Sequence, residues 1–336
     1  MKPALAGLLL ALALVFPAAQ SEATPFAVEV ESRPIANFRR GSGETRFGAL
    51  DYVGGFEMRA SAPVFGQLSA LRFLAPGGDF VGVADHGYWF SGRIRRDSGG
   101  APLGVEEFRM QAMVDRSGRV LGDKALADAE GLEVADGVAT VSFEREARLS
   151  EYRLGPDAGL PVAGPVRDLD FVIPRRELRF NRGIETVVRA PRDGPLRGAR
   201  IVVAERSIDA NGDLFAAIVE GPGRGVFKVR RSGDFDVTDG AFLPGGDLIL
   251  LERRYRPPFS VGMRLRRIAA ATLKPGALVD GEVLIQAGLS AHIDNMEGLD
   301  VWRRDDGTTI LSLISDNNQS FLQRTLYLEF ALRERE

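Results

Sequence analysis

Beyond residue 24 the chain is written in short apolar runs. Val, Ile, Leu and Phe cluster over a few positions and are then broken by turn sequences such as Pro76-Gly77-Gly78-Asp79, Asn211-Gly212 and Pro244-Gly245-Gly246-Asp247. The spacing of an amphipathic helix is scarce. Phe80–Ala84, Val138–Phe143, Arg200–Ala204, Asp247–Leu251 and Thr309–Ile314 therefore predict strands, and many close strands with Gly-rich turns predict an all-β fold.

A repeat runs through this pattern. A polar or acidic residue stands beside Gly and an aliphatic residue at Gln67, Glu130, Glu185, Asp239 and Glu297, with steps of 63, 55, 54 and 58 residues. Further along each repeat a strand ends in an acid followed by a polar residue, at Asp85-His86, Glu144-Arg145, Glu205-Arg206, Glu252-Arg253 and Asp316-Asn317. A several-stranded unit of this period predicts β-propeller blades. The last repeat has room for only three strands, at Glu297–Trp302, Thr309–Ser315 and Arg324–Phe330. Phe47–Glu57 is expected to supply the fourth and to close the ring from the N-terminal side. The expectation is a propeller of five four-stranded blades, with six blades and a pair of β-sandwiches as alternatives. No linker divides residues 44–333, which are taken as one domain behind a lead-in at 24–43.

In a propeller the innermost strands line a central channel, so equivalent positions of the blades converge. The repeat then predicts two acidic rings, one of Glu130, Glu185, Asp239 and Glu297, the other of Asp85, Glu144, Glu205, Glu252 and Asp316. Converging carboxylates repel and need cations, either arginine or bound metal. Adjacent residues of an extended strand face opposite ways, so an acid and the arginine after it do not both face the channel unless the strand has ended or bulged. On one reading the acids and arginines only prop up the channel. On the other, Asp85, Glu144, Glu205, Asp239, Glu252, Asp316 and Asn317 offer oxygen ligands to a hard cation such as Ca²⁺. Glu130, Glu185 and Glu297 are then the candidates for ligand or general base, and Arg145, Arg182 and Arg253 for holding substrate oxygens.

Composition narrows the chemistry. The 336 residues carry 43 basic and 46 acidic side chains, which gives no electrostatic reason to expect nucleic acid. There is no cysteine, and His86 and His292 are the only histidines, which excludes disulfides, thiolate metal sites and a three-histidine zinc site. Residues 1–23 have the pattern of a secretory signal peptide: Lys2, an apolar run from Ala4 to Phe16, then Ser21-Glu22-Ala23. The apolar run is too short to span a bilayer. A periplasmic or secreted product without a membrane span is the expectation.

Several segments in this order resemble a known family. They include Phe65-Gly66-Gln67-Leu68-Ser69, Val83-Ala84-Asp85-His86-Gly87, Asp128-Ala129-Glu130-Gly131-Leu132 and Asn181-Arg182-Gly183-Ile184-Glu185. Further along come Leu251-Glu252-Arg253-Arg254, Met296-Glu297-Gly298-Leu299 and Ile314-Ser315-Asp316-Asn317-Asn318. From about residue 44 to 330 the chain is similar to the bacterial phytase-like family, also described as having esterase-like activity of phytase. The resemblance implies an exported propeller-like domain that hydrolyses phosphate esters of a small anionic substrate. Distantly related propeller phytases use calcium to bind phosphate and activate water. Gln67 stands where the family's first motif usually has Gly, and His86 where Arg is common; neither change removes a carboxylate. The competing expectation is a non-catalytic propeller that binds a ligand or protein partner.

Other motifs carry less. Asp209-Ala210-Asn211-Gly212-Asp213 imitates a calcium loop but has Leu214 where that loop requires Gly, so a hairpin turn is expected. No Gly-x-Ser-x-Gly elbow occurs. His86 is expected to pack or hydrogen-bond at a strand end, and Trp89 and Trp302 to lie in or on the blades.

Overall fold

The computed structural model describes residues 23–156, 159–256 and 260–333. The apolar leader expected at the N-terminus lies outside these residues apart from Ala23. Among the described residues no helix is long and apolar enough to cross a membrane.

Five sheets form the five blades of a β-propeller, antiparallel throughout except where Leu278–Val279 adds to the edge of the third in parallel. Their innermost strands are Leu68–Phe73, Ala129–Ala135, Ile184–Arg189, Asp236–Phe242 and Asn295–Arg303, in blades 1 to 5. Each touches the next around the axis, and the fifth touches the first. Five strands expected from the sequence are present, with Arg200–Ile208 and Leu248–Arg256 running past their expected ends.

The ring closes as the repeat predicts. Leu50–Arg59 pairs with the last strand, Thr325–Leu332, and completes blade 5. The lead-in also contributes. Glu31–Pro34 adds an outer strand to blade 5, and Phe26–Ala27 pairs with the outer strand of blade 1, Phe26 opposite Met110 and Ala27 opposite Arg109. The N-terminal segment therefore covers edges that would otherwise be free.

Central strands are apolar on both faces because each sheet is sandwiched between two others. Leu248, Ile249, Leu250 and Leu251 are all fully buried, as are Ile201, Val202, Val203 and Ala204. Apolar clusters fill the interfaces between blades. One joins Val81, Val83 and Trp89 of blade 1 to Leu132, Val141 and Tyr152 of blade 2. Another joins Leu251 and Met263 of blade 4 to Leu299 and Leu313 of blade 5.

One local irregularity repeats in every blade. The innermost strand carries an extra residue against its partner, a β-bulge, at Ser69, at Glu130-Gly131, at Glu185, at Thr238 and at Glu297. Such a bulge re-aims the side chain that it displaces. The recurrent glycine has a steric reason: a Cβ on Gly131 would lie 2.3 Å from the Glu185 carbonyl oxygen of the next blade. Only glycine lets the inner strands come so close at that point.

Candidate functional site

The bulges and the strand ends opposite them meet at one mouth of the channel. There they line a polar cavity of about 210 Å³. Pairing registers identify equivalent positions blade by blade. Bulge positions are Ser69, Glu130, Glu185, Thr238 and Glu297, and the matching ends of the second strands are Asp85, Glu144, Glu205, Arg253 and Asp316. All of these except Thr238 line the cavity. The Thr238 hydroxyl instead donates to the Met296 carbonyl at 3.0 Å.

Blade 4 departs from the sequence reading by one residue at both positions, and a one-residue slip turns a strand side chain to the other face. Asp239 is fully buried away from the cavity, where its carboxylate accepts both guanidinium nitrogens of Arg72 at 2.7 and 2.8 Å and the Leu299 amide at 2.8 Å. Glu252 lies inside blade 4 and accepts from Arg264 and Arg266, each at 2.5 Å. Arg253 takes the channel place expected of Glu252. Asn317 also does not line the cavity; its side-chain oxygen accepts the Gln319 amide at 3.0 Å, and Asn318 is the residue at the rim.

The other predicted residues converge. Asp85, Glu130, Glu144, Glu185, Glu205, Glu297 and Asp316 share the cavity with Arg145, Arg182 and Arg253. Asp128 and Lys124 complete the set, so eight carboxylates face four cations. A short helical turn, Lys124–Ala127, is capped by the Asp123 side chain and sets Lys124 and Asp128 at the mouth. The repeat does not single out Asp128. A signal for it was present, since two residues before Glu130 in an extended segment is the same face.

The cations are shared unequally. Arg253 donates to Glu205 at 3.1 Å and to the Asn295 side-chain oxygen at 2.6 Å, and it also contacts Glu297. Arg182 holds the other oxygen of Glu205 at 3.0 Å. Lys124 bridges Asp85 and Asp128 at 2.8 and 3.1 Å, and Arg145 reaches Asp128 at 3.0 Å. Among the described residues, Glu130, Glu144 and Glu185 have no ion pair, although Glu144 accepts the Gly183 amide at 2.9 Å.

Proton affinities follow this distribution. Burial pushes Glu130 and Glu185 well above the ordinary carboxylate range, and the acids around them add to it. Burial likewise moves Glu144 and Asp316 up to about 7. Glu297 rises to about 8 through burial, with the Arg253 guanidinium pulling against it.

Among the described residues, two triads bring carboxylate oxygens within 4.8 Å of one another: Asp85, Asp128 and Glu130, and Glu130, Glu144 and Glu185. Glu130 belongs to both. The donors are all oxygen, the ligand type of hard cations. One Asp85 oxygen is buried without a hydrogen-bond partner among the described residues. These observations fit a cation-binding centre.

The remaining motifs are structural. Asp209 caps its hairpin turn by accepting the amides of Asn211 and Asp213 at 2.8 and 3.0 Å. His86 stacks on Tyr88 and shares a 3.1 Å hydrogen bond with the Val64 carbonyl, and burial lowers its pKa to about 4. Trp89 is buried in the core, and the Trp302 indole donates to Ser312 at 2.9 Å.

Fold and cavity together define a five-bladed propeller with an acidic, oxygen-rich channel mouth. The chain belongs to the phytase-like family, whose model, described as esterase-like activity of phytase, matches residues 63–319. No curated protein matches the sequence. Among solved structures, the PQQ-bound aldose sugar dehydrogenase from Streptomyces coelicolor is similar at 14% identity and a TM-score of 0.45, over 86% of this chain and 100% of that one. A glucose dehydrogenase is similar at 13% and 0.37, over 91% and 98%. YCF48 bound to D1 peptide is similar at 11% and 0.36, over 86% and 99%. Likeness at this level bears on neither substrate nor cofactor.

Proposed function

We propose that this protein is an exported, metal-dependent hydrolase of phosphate esters, with calcium as the metal. The observation that carries the reading is the triad Glu130, Glu144 and Glu185, three converging carboxylates without a cation of their own. Membership of the phytase-like family supports the choice of phosphate esters.

Glu130, Glu144 and Glu185 would hold the metal, with Asp85 and Asp128 beside them sharing Glu130. A hard divalent cation supplies charge neutralisation to a phosphate and lowers the pKa of water. Arg145 and Arg182 stand at the rim, with side chains 32% and 41% exposed, and orient the phosphate oxygens. The carboxylate oxygen of Glu185 not given to the metal would accept the proton of the attacking water. Arg253 has its donors on Glu205, Glu297 and Asn295, so it anchors the opposite wall.

One observation favours the alternative of a non-catalytic binding propeller: the basic Arg253 in blade 4 already neutralises the cavity next to it. The test is turnover of an aryl phosphate panel by purified protein, with calcium and with chelator. Calcium-dependent release of phosphate supports the hydrolase. No metal-stimulated turnover on any phosphoester favours the binding protein. Export is checked by N-terminal sequencing of the product recovered outside the cytoplasm, where a chain starting at residue 24 is expected.

A further inference from the structure

A second depression of about 580 Å³ adjoins the acidic cavity and shares Glu144 and Arg145 with it. The consecutive residues Phe180 and Asn181 lead from one to the other, Phe180 lining the groove and Asn181 the cavity. In contrast to the cavity, arginine dominates this groove.

Arg148, Arg175 and Arg179 converge there, and among the described residues none has a carboxylate within ion-pair distance. Their guanidiniums are positioned by carbonyl oxygens and aromatic rings instead. Arg148 donates to the Glu146 carbonyl at 3.2 Å and lies 3.6 Å from the Phe143 ring centroid. Arg175 donates to the Ala147 carbonyl at 2.8 Å and lies over Phe171, and Arg179 reaches the Ile208 carbonyl at 3.4 Å. Carbonyl contacts orient a guanidinium without neutralising it, so the positive charge stays available to an anion. Of the acids that line the groove, Asp168 pairs with Arg116 and accepts the Ser150 hydroxyl, Glu146 is exposed, and Glu144 belongs to the carboxylate triad of the neighbouring cavity.

Phe180 is the second unusual feature. It is 74% exposed at the tip of a tight turn. That turn is pinned from below, because the Ser207 hydroxyl accepts the Arg179 amide at 2.8 Å and donates to the Arg182 carbonyl at 2.6 Å. The ring is thus held out in solvent, with the Arg145 guanidinium 5.9 Å from its centroid. A flat ligand stacked on Phe180 would lie between the arginines and the carboxylate triad.

We propose that this groove binds the leaving group of the ester, and that this group is an aromatic ring carrying a second negative charge. The leaving-group role rests on the hydrolase reading; the binding of an aromatic anion does not. Two measurements keep them apart. In the first, 2-naphthalenesulfonate is titrated into the purified full-length protein, with chelator present, and binding is followed by fluorescence anisotropy. Saturable binding is expected, about tenfold weaker in Arg175→Ala and Arg179→Ala, the loss of one charge-assisted contact. Phe180→Ala, at an exposed position that leaves folding untouched, should weaken it too. In the second, kcat/KM is compared for 4-carboxyphenyl phosphate and phenyl phosphate. The wild type should prefer the carboxylated ester, and the arginine variants should lose that preference. Sulfonate binding without turnover sustains the groove and sinks the hydrolase. Turnover with no preference overturns the leaving-group role, and equal binding of neutral 2-naphthalenemethanol, or variants that bind as wild type, overturns the groove.

Discussion

The two walls of the acidic cavity are built from the same repeat and solve the same electrostatic problem differently. On one wall Arg253 of blade 4 fans out to Glu205 of blade 3 and Glu297 of blade 5, and two acids share one guanidinium. On the other, Glu130, Glu144 and Glu185 of blades 2 and 3 converge with no cation among them. Buried charges without partners are costly, so such a group either takes up protons or takes up a cation from solution. Permanent charge serves as scaffold where it is neutralised internally, and as a candidate binding site where it is not.

The largest effect is expected from removing the internal cation. Arg253→Met leaves Glu205 and Glu297 facing each other with only Arg182 and Asn295 for support. Breaking a buried pair from one side costs roughly 3–5 kcal/mol, which denaturant titration would detect directly. A variant as stable as wild type would show that this wall does not depend on the arginine.

Next is the unpaired wall. Glu130→Gln keeps the shape of the side chain and removes a charge that burial disfavours. The fold should survive, with metal-free stability equal or higher, while phosphoester hydrolysis falls at least ~100-fold. Full activity in this variant would take Glu130 out of the chemistry. Glu297→Gln offers the contrast. It leaves Arg253 with Glu205 and Asn295, so its main consequence should be lost stability, with activity changed less than in Glu130→Gln.

A smaller effect is expected from pH. The folded chain holds Glu144 and Asp316 at about 7, whereas unfolded Glu and Asp titrate near ~4.3 and ~3.9. Between those values the metal-free folded state carries protons that the unfolded state has released. The contribution of these two groups to stability is therefore fully present below about pH 4 and is lost as pH rises through 7. Calcium should flatten that decline, adding ~2.7 kcal/mol at a hundredfold excess over its Kd. Melting curves at pH 5 and pH 8, with calcium and with chelator, check both the sign and the size.

Much of this fold is legible in the sequence, because each blade repeats two elements in phase. The closing strand follows from counting strands in the last repeat, and Leu50–Arg59 fills that place. The pattern misleads in blade 1, where the bulge falls at Ser69, two residues past Gln67, and again in blade 4. Its second strand does not end at Glu252 but runs on to Arg256, so the acid points into the blade and the arginine after it into the channel. Asp239 is misleading in the same way, since the bulge in its blade falls at Thr238. A spacing rule finds the neighbourhood of a bulge, but hydrogen-bond register decides which residue it turns outward. Lys124 was beyond reach for another reason. It belongs to a turn outside the repeat and meets Asp85 across 39 residues of sequence.

The most direct measurement is a crystal structure of the protein soaked in calcium. Metal density is expected between Glu130, Glu144 and Glu185, with Arg253 still bound to Glu205 and Glu297 across the cavity. Density on the Arg253 wall, or none near the triad at saturating calcium, would contradict the division of the cavity into a neutralised wall and a metal-binding one.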